Sequence, residues 1–296
     1  MTEQGYIDKI KANKITLKGI PTRFRTERVC REAVTVLGAD IYYVPDVFKT
    51  SDMCTIAVSN DGEALRFVPI QIRTEEICWK AIRNNGLAIR HIPKKLLTVE
   101  MCEEAVKRTP KVLCYVPKRK MTREMCMDAV RRCGSELQWV PEKLKDTEMC
   151  SMAVENNSMM LSQVPEKLIT EDMCWSSVTK NGMMIYSVPD SIVTDKMYME
   201  AVKNTGIALR YIPESKITKE LCETAVANNG RAIEYVPEKF RTSEMYDMAI
   251  SNDGRSLSLF PTEERTAERC IAAVKNAADA VRYVPETILV EIIRNS

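Results

Sequence analysis

A chain of 296 residues has room for two ordinary domains or one long repeat array. Its hydrophobic content of 45% and charged content of 28% fit a folded globular protein and exclude a disordered one. A net charge of +2 excludes a general pull towards nucleic acid or anionic lipid, and no apolar run reaches the roughly 18 residues of a membrane-spanning helix.

From the N-terminus, residues 1–14 are polar and mixed in charge, without the apolar stretch of a secretory signal. The next feature sets the fold. Twelve of the thirteen prolines, from Pro21 and Pro45 to Pro261 and Pro285, stand 24 residues apart without an insertion. Counting places forward from each proline, place 5 is threonine in ten of eleven units and Asp146 in the other. Place 8 is nearly always large and apolar. Place 9 is cysteine in nine units and Tyr198 or Tyr246 in two, and place 12 is alanine except at Ser177. Place 17 is glycine in eight units, and places 20 and 23 are aliphatic apart from Phe260.

Each place has a physical reading. Threonine or aspartate at place 5 caps a helix by accepting from an orphan backbone N–H, and the acidic residues that follow suit the helix dipole. Places 8, 9, 12 and 13 share one helical face. Glycine at place 17, often after asparagine, is expected to end the helix in a left-handed conformation. The pattern predicts a helix of about eleven residues, then one short helical or 3₁₀ turn that the next proline stops. A 24-residue unit cannot bury its apolar face alone, so the units must stack. The expected fold is all-α: a superhelical two-layer α-solenoid, with an N-terminal cap over 1–21, eleven repeats over 22–285 and a C-terminal cap over 286–296. The superhelix is expected to be right-handed.

The recurring threonine, Met-Cys, Ala-Val, Asn-Gly, Ala-Leu and Val-Pro-Glu elements, most of them present between Thr218 and Pro237, resemble the domain-of-unknown-function family 4116 over about residues 22–290. That resemblance implies a bacterial or viral repeat architecture and no activity. The unit is also similar, more weakly, to the leucine-rich variant repeat, which alternates an α-helix with a 3₁₀-helix. The iron–sulfur cluster of that family needs an N-terminal cysteine cluster that this chain lacks, so no cofactor is implied.

Chemistry is sparse. Cysteines 24 residues apart would stack at roughly 8–10 Å, too far for a shared zinc ion or a disulfide. They read as small buried hydrophobes, with Cys114 and Cys133 outside the column. An odd number of evenly spread thiols fits a reducing compartment, a cytosol of its own cell or of a host. His91, the single histidine, replaces the aromatic residues Tyr43, Phe67, Tyr115, Trp139, Tyr211, Tyr235 and Tyr283 at place 22, and reads as a packing residue. No triad, metal set or phosphate loop can be assembled, so no enzyme, cofactor or metal is expected.

Two surface features suggest binding. Places 10 and 11 of the helix are expected to face outward, and place 10 holds Trp79, Met127, Trp175 and Met199. Tryptophan dominates protein-binding hot spots, which favours Trp79 and Trp175. Between Lys94 and Glu136 the chain carries eleven basic and six acidic residues. Lys94, Lys95, Lys107, Arg108, Lys118, Arg119, Lys120, Arg131 and Arg132 form a candidate basic patch. The leading expectation is a non-enzymatic scaffold that binds another protein, extending to a bacterial or viral effector or inhibitor. The alternative is a nucleic-acid binder using residues 94–132, and membrane insertion is not expected.

Overall fold

Each threonine of place 5 starts a helix. Its hydroxyl accepts from the N–H three residues on, as Thr74 does from Ile77 at 3.3 Å, and Asp146 does the same for Met149 at 2.8 Å. Thr242 alone of these caps lacks that bond. The protein is seen in a computed structural model that describes residues 2–295, with side chains to residue 290.

Among the described residues the α-helices are α1 (Glu3–Lys11), α2 (Glu27–Val36), α3 (Ser51–Asn60), α4 (Glu75–Asn84), α5 (Val99–Arg108), α6 (Arg123–Arg132), α7 (Thr147–Asn156), α8 (Glu171–Lys180), α9 (Asp195–Asn204), α10 (Lys219–Asn228), α11 (Ser243–Asn252), α12 (Ala267–Asn276) and α13 (Glu286–Asn295). Helices α2 to α12 each span ten residues, places 6–15, one fewer than expected. A six-residue 3₁₀-helix over places 17–22 follows in ten units, as in Gly62–Phe67 and Gly230–Tyr235. The unit holding Pro110 at place 17 keeps only Leu113–Tyr115. In most units a second, three-residue 3₁₀ turn follows the proline, such as Glu238–Phe240.

The fold is an all-α solenoid of two layers. Helix stacks on helix and 3₁₀ segment on 3₁₀ segment within each of two compact units, one ending at Lys145 and one beginning at Asp146. The core recurs from repeat to repeat, as in Met53, Cys54, Ala57, Val58, Leu65 and Val68, all buried, and opens in the last repeat, where Val281 is exposed. Counting back 24 residues from Pro21 puts α1 in register as well. Thr2 caps it, Tyr6 takes the cysteine place, and Leu17 and Ile20 fill places 20 and 23, so residues 2–21 keep the repeat register in part, with Lys9 and Lys14 at places 12 and 17. By contrast α13 begins at place 1, directly after Pro285.

The glycines correct the sequence reading. None of them has positive φ among the described residues, so place 17 is not a left-handed cap. A Cβ on Gly62 would lie well inside van der Waals contact of the Ala81 carbonyl oxygen in the next repeat, and Gly38, Gly86, Gly182, Gly206, Gly230 and Gly254 meet the same obstacle. Glycine is there because the next helix presses on it. Two departures fit this cause. Ser158 stands at place 17 opposite Ser177, the one non-alanine at place 12, whose hydroxyl donates to the Ser158 carbonyl at 2.8 Å. Ala278 stands at place 17 of the last repeat, which no helix in register follows. The asparagine before the glycine serves a different end, since Asn85 accepts from Leu87 N–H at 3.0 Å and caps the 3₁₀ segment.

Asparagine at place 15 ties the repeats together. Its Nδ2 donates to the place-14 carbonyl of the preceding helix and its Oδ1 accepts from the preceding place-17 N–H, as in Asn84, Asn204, Asn228, Asn252 and Asn276. These groups would otherwise be orphaned at the helix end.

Candidate binding surfaces

The helix layer offers less than its sequence promised. Met127 is 6% exposed, a correction to its expected outward place: place 10 borders the core-facing place 9 and is flanked by neighbouring helices about 8–10 Å away. Trp79 is half-buried with the Arg83 guanidinium 5.3 Å from its ring centre. Trp175 is half-buried, and its Nε1 donates to Glu171 at 3.3 Å. Met199, also half-buried, lines a shallow groove of about 530 Å³ with Lys196, Lys216 and Leu221.

The basic stretch divides. Lys94, Lys95, Lys118, Arg119 and Lys120 lie in the turns before α5 and α6, whereas Lys107, Arg108, Arg131 and Arg132 end those helices. Ten helical residues separate the two groups by about 15 Å. Two of the four helix-end residues are engaged. Arg108 pairs with Glu104 at 2.8 Å, and Arg132 donates to the carbonyls of Val106 and Lys107 at 2.9 and 2.8 Å, replacing the asparagine clamp. Lys107 and Arg131 remain exposed, where cations complement the helix C-terminus.

The outward aromatics lie instead on the 3₁₀ layer. With three residues per turn, places 20 and 23 share a buried side and places 21 and 22 point out. Tyr42, Tyr115 and Trp139 in the first unit and Tyr186, Tyr211 and Tyr283 in the second are exposed. Tyr42 meets Tyr43 edge-on and Phe67 at a tilt, each at 4.8 Å, and Arg66 covers Phe67 at 4.4 Å. Tyr186 meets Tyr211 at 5.5 Å, and Arg210 lies over Tyr211 and Tyr235. Place 22 was read as a packing site; it is a surface row that the sequence reading missed. The signal was the pair of apolar residues three apart that bracket it. His91 is half-buried in this row, accepting from Arg90 Nε at 3.1 Å and lying 3.8 Å from Glu63, and burial pushes its pKa down.

Between neighbouring 3₁₀ segments run open grooves. One of about 660 Å³ is lined by Arg210, Glu214, Ile217, Glu234, Tyr235 and Glu238. Another, of about 470 Å³, is lined by Ser162, Glu166, Ile169, Tyr186, Ser187 and Asp190, the same places two repeats earlier.

The nine column cysteines are buried, and burial drives the thiols of Cys30, Cys54, Cys78, Cys102, Cys126, Cys174 and Cys222 up to about 11. Cys114 is exposed and Cys133 half-buried. Among the described residues, no three His, Cys, Asp or Glu side chains gather as for a metal ion, and no helix is long and apolar enough to cross a membrane.

A family model described as a domain of unknown function, DUF4116, matches the chain at residues 74–119, 122–169 and 218–265. The chain contains DUF4116 repeats. Each match starts at a place-5 threonine, Thr74, Thr122 or Thr218, and the two longer ones span two 24-residue units. The DUF4116 register continues through the intervening helices α8 and α9 with the same caps. No curated protein matches the chain.

Proposed function

We propose that this chain is a non-enzymatic scaffold that binds another protein across its 3₁₀ layer. The observation that carries the reading is the exposed aromatics at places 21 and 22, Tyr115 and Trp139 within one unit and Tyr186 and Tyr211 within the other, which also carries grooves beside its 3₁₀ segments. Rigid amphipathic rings lose little entropy on binding and dominate interface energetics. Trp79 and Trp175, each half-buried and engaged by a neighbour, are secondary contacts. The single histidine, His91, sits in an ion-paired row, a position that suits a binding surface better than acid–base work. Eleven cysteines, none of them in a disulfide, support action in a reducing cytosol, its own or a host's, and an effector or inhibitor is the extension we favour.

Nucleic-acid binding through residues 94–132 is the competing reading. The split of the basic residues between the two ends of α5 and α6, and the use of Arg132 as an inter-repeat clamp, weigh against a continuous phosphate track.

A pull-down with the tagged full chain at low and moderate salt, with and without nuclease, tests the proposal. A protein retained under all conditions and lost with Tyr115→Ser/Trp139→Ser or Tyr186→Ser/Tyr211→Ser is expected. Recovery that disappears with nuclease or modest salt would replace it with nucleic-acid binding.

A further inference from the structure

Place 4 of the repeat holds one of two kinds of residue, basic or aliphatic. It is Arg25, Lys49, Arg73, Lys145, Arg241 and Arg265 in some units and Leu97, Met121, Ile169, Val193 and Ile217 in others. Where it is arginine, the side chain lies in the cleft between successive 3₁₀ segments. Its Nε donates to the carbonyl just before the proline: Arg25 to Ile20, Arg73 to Val68 and Arg241 to Val236 at 2.8 Å, and Arg265 to Phe260 at 3.1 Å. One terminal nitrogen reaches the place-22 carbonyl of its own repeat, as Arg73 does to His91 at 2.6 Å and Arg265 to Tyr283 at 3.0 Å. The other reaches the preceding place-21 carbonyl, Arg66, Glu234 or Ser258, at 3.2–3.4 Å.

The carbonyl cluster arises from the proline itself. In a 3₁₀ ladder the place-21 carbonyl would accept from the residue three on, which is always proline and has no N–H. Every repeat therefore presents an acceptor that the ladder cannot serve, and buried or half-buried acceptors seek donors. Where place 4 is Ile169 or Ile217, no place-4 guanidinium fills the cleft, and both clefts stand open, the second with Arg210 over Tyr235 and Lys239 in its lining. By register, the carbonyls that the arginines engage in sister repeats belong here to Ser162, Val164 and Ser187, which line the first cleft with Glu166 and Asp190, and to Arg210, Ile212 and Tyr235, which line the second with Glu214, Glu234 and Glu238.

We infer that the open clefts at Ile169 and Ile217 are binding sites for arginine side chains of an extended partner segment, which takes the place that the chain's own arginines fill in sister repeats. The inference rests on the protein-scaffold reading and names the chemistry of its partner. A planar fork of donors matches three converging carbonyls and a carboxylate, whereas an ammonium does not. Tyr186, exposed at the rim of the first cleft, offers a face to the bound guanidinium. The clefts are two repeats apart, about 20 Å at ordinary helix spacing, and about six extended residues cover that distance. The segment would carry two arginines spaced accordingly.

The test is a titration of the full chain, methyl-labelled at isoleucine, with the peptide Ac-Arg-Gly-Ser-Gly-Ser-Gly-Arg-NH₂ and with its lysine and citrulline counterparts. Saturable shifts of the Ile169 and Ile217 methyl signals are expected with arginine and not with citrulline. The two-arginine peptide should bind at least about tenfold tighter than a one-arginine peptide. Ile169→Arg/Ile217→Arg should fill both clefts, keep or raise the melting temperature and abolish peptide binding. Glu166→Gln/Asp190→Asn, at exposed positions, should fold unchanged and weaken it. Equal binding of the citrulline peptide, or undiminished binding by either variant, overturns the inference. A protein captured in the pull-down equally by wild type and the Ile169→Arg/Ile217→Arg variant would sink these sites while leaving the scaffold reading in place.

Discussion

The Oδ1 of Asn84 accepts a 2.7 Å hydrogen bond from the backbone N–H of Gly62, one repeat earlier, while its Nδ2 donates to Ser59 at 2.8 Å. One side chain thus satisfies an N–H and a carbonyl that the preceding helix end leaves open. Its equivalent, Asn228, does the same for Gly206 and Lys203. Asn228→Ala should destabilise the protein by about 1–3 kcal/mol, the cost of leaving half-buried polar groups unpaired. The urea unfolding midpoint checks it, and an unchanged midpoint would remove the clamp from the account.

Gly206 has negative φ, and a glycine-to-alanine change at such a position ordinarily stabilises by restricting the unfolded chain. Here the sign should reverse. The new Cβ would collide with the Ala225 carbonyl, and overpacking of this kind costs about 1–3 kcal/mol. Gly206→Asn separates the two explanations of the glycine. A left-handed cap tolerates asparagine, whereas a steric contact does not, so thermal melting should show asparagine at least as destabilising as alanine.

Glu136 is buried, and its carboxylate accepts from the Leu113 N–H at 3.2 Å, in the unit where Pro110 shortens the 3₁₀ segment. Asp40 serves Leu17 in the same way at 2.7 Å. Burial raises the pKa of Glu136 in the folded state, partly opposed by the Leu113 hydrogen bond and by Lys111. The native state then binds the proton more tightly than the unfolded chain. The associated stability is fully present below the ordinary glutamate range and is lost as pH rises through the raised folded value. Glu136→Gln keeps the acceptor and removes the charge, so its stability should lack this decline and match or exceed wild type at neutral pH. Glu136→Ala should lose about 1–3 kcal/mol at every pH by orphaning the Leu113 N–H. Urea titrations at pH 4 to 8 distinguish the two.

Thiol labelling should sort the eleven cysteines by their place in the fold. Cys114 should react first, Cys133 more slowly, and the nine column thiols only on unfolding, because they are buried and hold their protons to high pH. Mass spectrometry of briefly labelled native protein provides the count. Early modification of Cys78 or Cys126 would contradict the packing.

The proline period, the threonine caps and the apolar places made both layers legible in the sequence, because each follows from chemistry within a few residues. The purpose of place 17 was not legible, since Gly62 answers to Ala81, 19 residues away, and a local rule misassigned it to a left-handed turn. Asn84 and Arg73 were overlooked for the same reason: their partners lie in neighbouring repeats or across the 3₁₀ turn. Trp79 and Met127 were expected on an open ridge, but a place on a helical wheel does not tell how closely the next helix stands. The outward row of Tyr115 and Trp139 could have been found by applying a three-residue period to places 20–23.

The asparagine clamps join residues 22 or 25 positions apart. Each one closes a loop of nearly the same length, so adding a repeat to a folded neighbour carries nearly the same entropic cost anywhere within a unit. Relative contact order is then below about 0.1, in the range of fast-folding helical proteins. Such a chain can zip from any interior nucleus and fray from its ends one turn of the array at a time. The unit holding Pro110, tied by Glu136 and Arg132 instead of asparagine and glycine, is where the zip changes its teeth.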